Sequence, residues 1–188
     1  LKKSRIDVGA QNCNEQENYG AFTDSIKPIM LKSVGAKYII IGHSENRKMG
    51  ETDKLINLKI KSTLKAKLKV IFCIGETLKQ KRKKMTKKIL DSQIKLGLKK
   101  IKNRKDILIA YEPVWSIGTG LVPKNNDLLQ TIKFIKKKLK SYKVLYGGSV
   151  NSNNVNELKL VNNIDGFLIG GASQNSKKFI DIIKKTYN

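Results

Sequence analysis

The chain has 188 residues, enough for one well-buried core but fewer than the roughly 250 of a complete (β/α)8 barrel. Its 39 Lys and Arg against 15 Asp and Glu leave a formal charge of +24, but only Arg5, Arg47, Arg82 and Arg104 are arginines, and lysines scattered over every candidate helix disfavour a focused nucleic-acid interface. Two cysteines (Cys13, Cys73), one histidine (His43), no apolar run near the roughly 20 residues of a membrane span and no signal-like start together predict a reduced, cytoplasmic protein with no metal and no membrane partner.

Six short apolar runs punctuate the chain: Ile6 to Ala10, Tyr38 to Ile41, Val70 to Ile74, Ile107 to Tyr111, Val144 to Tyr146 and Phe167 to Ile169. They read as strands buried on both faces. Between most of them the apolar spacing becomes helical, as at Leu128, Ile132, Ile135 and Leu139, or at Phe179, Ile180, Ile183 and Tyr187. Alternation of strand and helix argues a parallel α/β fold with right-handed crossovers, either open and doubly wound or closed into a barrel. No linker or strong internal repeat divides it, so residues 1–188 are expected to form a single domain. The Lys-rich stretch from Lys79 to Lys88 reads as the solvated start of a long helix.

Polar residues and glycines gather just after the strands, where parallel α/β folds place their sites. After the second run comes IGHSENR, Ile41 to Arg47, with His43 between a strand end and a helix start. A lone His is often structural. At a helix N-terminus, however, the imidazolium is disfavoured, and a neutral ring can donate an N–H to a substrate oxygen. After the fourth run comes AYEPVWSIGTG, Ala110 to Gly120, in which Glu112 directly follows the strand. Such a Glu could merely cap a neighbouring helix. A loop begun by Pro113, ended by Gly118 and Gly120, and carrying Trp115 and Ile117 suggests instead a lid that excludes water from Glu112 acting as a base. YGGSV (Tyr146 to Val150) and IGGAS (Ile169 to Ser173) follow the last two runs. Paired glycines after consecutive strands let backbone N–H groups approach a phosphate.

In order, GAQN (Gly9 to Asn12), GAFT (Gly20 to Thr23), IGHSE, CIGE (Cys73 to Glu76), AYEPVWSIGTG, YGGSV and DGFLIGGAS (Asp165 to Ser173) resemble the motifs of the triose-phosphate isomerases over nearly the whole chain. The resemblance implies a TIM (β/α)8 barrel, here incomplete, with six strand-helix units matching strands three to eight of the family. It also implies a cofactor-free isomerase that interconverts dihydroxyacetone phosphate and D-glyceraldehyde 3-phosphate through an enediolate, as a cytosolic homodimer in its complete form. Glu112 would be the base and His43 the neutral acid, the division of labour known in this family, with Glu45 supporting them. Gly118, Ser149, Gly170 and Gly171 would cradle the phosphate. Family members begin with a strand carrying an Asn and, two residues on, a Lys that contacts substrate. Nothing here corresponds to it, so the chain is expected to be N-terminally truncated, and to be inactive and marginally stable alone. Asn46, Ser25 and Leu121 also depart from the usual family residues, the first two near surfaces that form the family's dimer. Three rival readings remain: another phosphosugar-binding barrel enzyme, a non-catalytic basic binder of anions or nucleic acid, and a fragment unable to fold.

Overall fold

A computed structural model describes residues 6–16, 25–102 and 105–187. The GAFT motif at Gly20 to Thr23 lies outside the described residues. By its contacts the chain divides into two compact units, Leu1–Cys73 with Asp91–Leu108, and Ile74–Leu90 with Ile109–Asn188.

In the first unit β1 (Val8–Ala10), β2 (Ala36–Ile41) and β3 (Lys69–Ile74, whose last residue belongs to the second unit) lie side by side in chain order and run parallel. Gly9 pairs with Tyr38, and Ile39 with Val70. Behind them, α3 (Asp53–Lys65) is started by the Thr52 hydroxyl, which accepts the Leu55 N–H at 3.2 Å. Its residues Ile56, Ile60 and Thr63 recur at helical spacing and are all fully buried. Asn12, from the GAQN motif, has a structural part here: its amide donates to Glu51 at 3.1 Å and its carbonyl accepts from Lys59, which is itself ion-paired with Glu51. Both cysteines are buried thiols, and burial pushes Cys13 up to about 11.

From Ile109 the second unit holds the rest of β4 (Ile107–Tyr111), then β5 (Lys143–Tyr146) and β6 (Gly166–Phe167) in chain order, with β5 and β6 paired in parallel. Helix α6 (Asn125–Lys138) buries Leu128, Ile132 and Ile135, with Leu139 buried just beyond its end, the face its spacing predicts.

Three expectations need correction. Strands buried on both faces describe β3 and β4 well, but β1 is largely exposed and β6 only half-buried. Each of these two stands at an end of the strand order, so a neighbouring strand covers one side only. Lys79 to Lys88 does not begin one long helix. A capping box between Thr77 and Gln80 starts the short α4 (Leu78–Arg82), Lys84 stops it in the left-handed region at φ +56°, and α5 (Thr86–Gly97) begins anew. Finally, α8 (Ser176–Tyr187) buries Ile182, not the Ile180, Ile183 and Tyr187 face that its spacing suggested. The helix is apolar over a wide arc, and α7 (Val155–Leu158) and the 3-10 turn Gly171–Gln174 pack against it.

Candidate active site

His43 stands at the N-cap of α2 (Ser44–Lys48), one glycine past the end of β2. Its Nδ1 accepts the backbone N–H of Glu45 at 3.3 Å. A nitrogen that accepts cannot carry the proton, so in the neutral ring the proton sits on Nε2. Glu45 thus contributes through its backbone, while its side chain is 78% exposed with Oε2 3.8 Å from Nδ1. The strand end beneath is tied by Arg47: Nε donates to the Gly42 carbonyl at 2.8 Å, Nη2 to the Cys73 carbonyl at 3.3 Å, and Nη1 pairs with Asp53 at 2.6 Å. Nothing in the sequence singled out Arg47. Its planar fork serves three acceptors that only the fold brings together.

Glu112 lies in the second unit, one residue past β4, and is 4% exposed. Its N–H donates to the Ile74 carbonyl at 2.8 Å. Glycines wall it in. A Cβ on Gly147 would meet the Glu112 Cγ at 2.7 Å and Oε1 at 3.2 Å, so the first glycine of the YGGSV pair makes room for the carboxylate itself. The second, Gly148, makes room for Tyr146 and Ser116, whose oxygens a Cβ there would approach within 2.2 and 2.6 Å. The glycine pair after β5 is therefore explained by internal packing.

The pair after β6 is not. A Cβ on Gly170 or Gly171 meets nothing within 4 Å, and no positive φ demands glycine at either position. With no side chain at either position and open space where one would lie, the backbone there can be approached closely from outside, as an external anion requires. Gly118, in the loop after β4, is likewise open and has φ +68°. The Ser149 N–H, by contrast, is already engaged, donating to Ser116 Oγ at 3.2 Å.

The loop after Glu112 starts with the 3-10 turn Val114–Ser116. Trp115 Nε1 donates to Glu76 Oε1 at 3.0 Å, and the Tyr111 hydroxyl lies 3.2 Å from Oε2. Burial raises the Glu76 carboxyl above its ordinary value, and these hydrogen bonds offset that only in part. On the ring's other contact, Lys81 Nζ sits 3.5 Å from the Trp115 centroid, so one lysine of the tract expected to be solvated is held against an aromatic face. Glu76 was legible only as the last letter of CIGE. Its partners lie 35 and 39 residues away, beyond any local signal.

A sequence model of the triosephosphate isomerases matches residues 1–186. The chain belongs to the triosephosphate isomerase family. It is 44% identical to the triosephosphate isomerase of Thermodesulfovibrio yellowstonii, over 98% of this chain and 78% of that protein. To that of Syntrophotalea carbinolica it is 42% identical, over 98% and 77%. The crystal structure of triosephosphate isomerase from Bartonella henselae superposes with a TM-score of 0.92 at 34% identity, covering all of this chain and 80% of that one. The fold is thus that of the (β/α) barrel, represented by six strand-helix units among the described residues. The reaction is that of the family, isomerisation between dihydroxyacetone phosphate and D-glyceraldehyde 3-phosphate. No helix among the described residues is long and apolar enough to cross a membrane.

Proposed function

We propose that Glu112 and His43 carry the isomerisation on one triose phosphate. The Glu112 carboxylate takes a proton from the carbon bearing the hydroxyl, and the bonding pair shifts to form an enediolate. The His43 Nε2–H stabilises the charge growing on the carbonyl oxygen and relays a proton between the two oxygens. Glu112 then returns its proton to the neighbouring carbon, so atoms and charge balance without an added reagent. The observation that carries this reading is the burial of Glu112 at a strand end, between glycines that leave space for its carboxylate and none for side chains of their own.

The backbone N–H groups of Gly170, Gly171 and Gly118 are the best-supported phosphate donors, because the space a side chain would take at each is open and leaves the backbone approachable. Ser149 joins them by sharing an N–H it already lends to Ser116. Glu45 supports the site by fixing the His43 tautomer through its backbone N–H. The family resemblance further supports a homodimer working in the cytoplasm.

Glu112→Gln tests the assignment, since an amide of the same shape cannot accept the proton. Turnover should fall by roughly three powers of ten or more while affinity for glycerol 3-phosphate stays within about threefold. Turnover within tenfold of the parent would remove Glu112 from the reaction.

A further inference from the structure

Ser116 has no assigned role, yet its side chain is among the most heavily bonded in the second unit. It is fully buried at the end of the turn that opens the lid. Its Oγ donates to the Leu121 carbonyl at 2.5 Å, at the far end of the same loop. That uses its single proton. The Ser149 N–H reaches it at 3.2 Å and the Tyr146 hydroxyl at 3.1 Å, so both must donate to its lone pairs. Burial holds the Tyr146 phenol up at about 12, which keeps that donor protonated. Every hydrogen-bonding position of the Ser116 hydroxyl is therefore filled.

The backbone repeats the connection. Ser149 Oγ donates to the Ser116 carbonyl at 2.6 Å and accepts the Gly120 N–H at 3.0 Å. Gly148 has no room for a side chain because the Tyr146 and Ser116 oxygens meet directly beside it.

We propose that Ser116 is a positioning residue for the lid: its hydroxyl ties the first and last residues of the 116–121 loop to each other and to Tyr146 and Ser149, and so sets how long the lid stays closed. The inference rests on the lid reading of that loop. It adds a residue that touches no reacting atom and acts through Ser149 and Leu121. Removing the hydroxyl strands one acceptor and two donors at once, all at the seam between lid and body, so the closed arrangement should lose lifetime while the sheet beneath keeps its own bonds.

The test is hydrogen exchange at single amides, with Trp115, the chain's one tryptophan, as an optical reporter of lid motion. In Ser116→Ala the Gly120 and Ser149 amides should exchange about tenfold faster, while the Glu112 amide, bonded to Ile74, keeps its rate. Relaxation of Trp115 fluorescence after a temperature jump should quicken by a similar factor. Tyr146→Phe, which removes one donor, should act in the same direction and less than additively with Ser116→Ala. Unchanged exchange at Gly120, equal acceleration at Glu112, or strict additivity of the two substitutions would each overturn the proposal. Titration of the parent protein with glycerol 3-phosphate decides the phosphate reading separately, because the exchange measurements need no ligand.

Discussion

A Cβ placed on Gly75 would lie 1.8 Å from the carbonyl oxygen of Glu112. No side-chain rotation relieves a clash between two backbones, so Gly75 fixes how closely the end of β3 approaches the residue proposed as the base. Gly75→Ala must push the Glu112 backbone aside and strain the bond from its N–H to Ile74. Urea denaturation should show a loss of about 3 kcal/mol, and turnover should fall with it, because the carboxylate shifts with its backbone. Stability within 0.5 kcal/mol of the parent, on the order of a neutral surface change, would show that the two segments can part without cost.

Glu76 makes the stability of the fold depend on pH in a defined direction. Its carboxyl binds a proton more tightly folded than its ordinary value of 4.5, because burial disfavours the charge. Below pH 4.5 both states hold the proton and the contribution is complete. As pH rises, the unfolded chain releases its proton first, and stability is lost until the folded group also titrates. Glu76→Gln keeps an acceptor for Trp115 but cannot ionise. Its stability relative to the parent should therefore rise between pH 4.5 and neutrality, read from urea curves at each pH. Parallel curves for the two proteins across that window would show that Glu76 titrates as though exposed.

Arg47 predicts a loss of stability instead of pH dependence. Arg47→Met removes the donors to the Gly42 and Cys73 carbonyls and leaves Asp53, whose side chain is 20% exposed, without its guanidinium. The cost should be about 2 kcal/mol, with a fall of roughly 5 °C in Tm. Arg47→Lys should recover only part of it, since one ammonium cannot reach three divergent acceptors. Full recovery by Lys would mean that charge alone matters there.

The open space at Gly170 and Gly171 separates binding from folding. Gly171→Val adds a side chain where no protein atom lies within 4 Å, so thermal unfolding should barely move. Calorimetric affinity for glycerol 3-phosphate should fall about tenfold or more if a phosphate needs that space. Unchanged affinity would move the phosphate elsewhere.

The sequence marked the candidate site residues where chemistry and local rules coincide. Glu112 follows an apolar run directly and His43 follows one after a single glycine, and parallel α/β folds place their sites at such strand ends. The runs themselves located all six strands to within about two residues, the usual uncertainty of an element boundary. Failures came where the answer depended on distant partners. The stretch from Lys79 to Lys88 holds no Gly or Pro to announce a break, which is made by the backbone turn at Lys84. The face of α8 was ambiguous because apolar residues cover more than one of its sides. Ser116, Arg47 and Glu76 are ordinary polar letters until the fold sets two or three acceptors or donors around the side chain of each.

The burial of Cys13 and Cys73 has a practical side. A thiol reacts as its thiolate, and these two are screened from solvent, with the Cys13 proton held to about pH 11. Maleimides at neutral pH should pass the folded molecule by. A cysteine introduced at the exposed Val34 or Leu160 would then be the sole nucleophilic sulfur in reach, giving a dye, spin label or cross-linker one chosen address with the native sulfurs left in place.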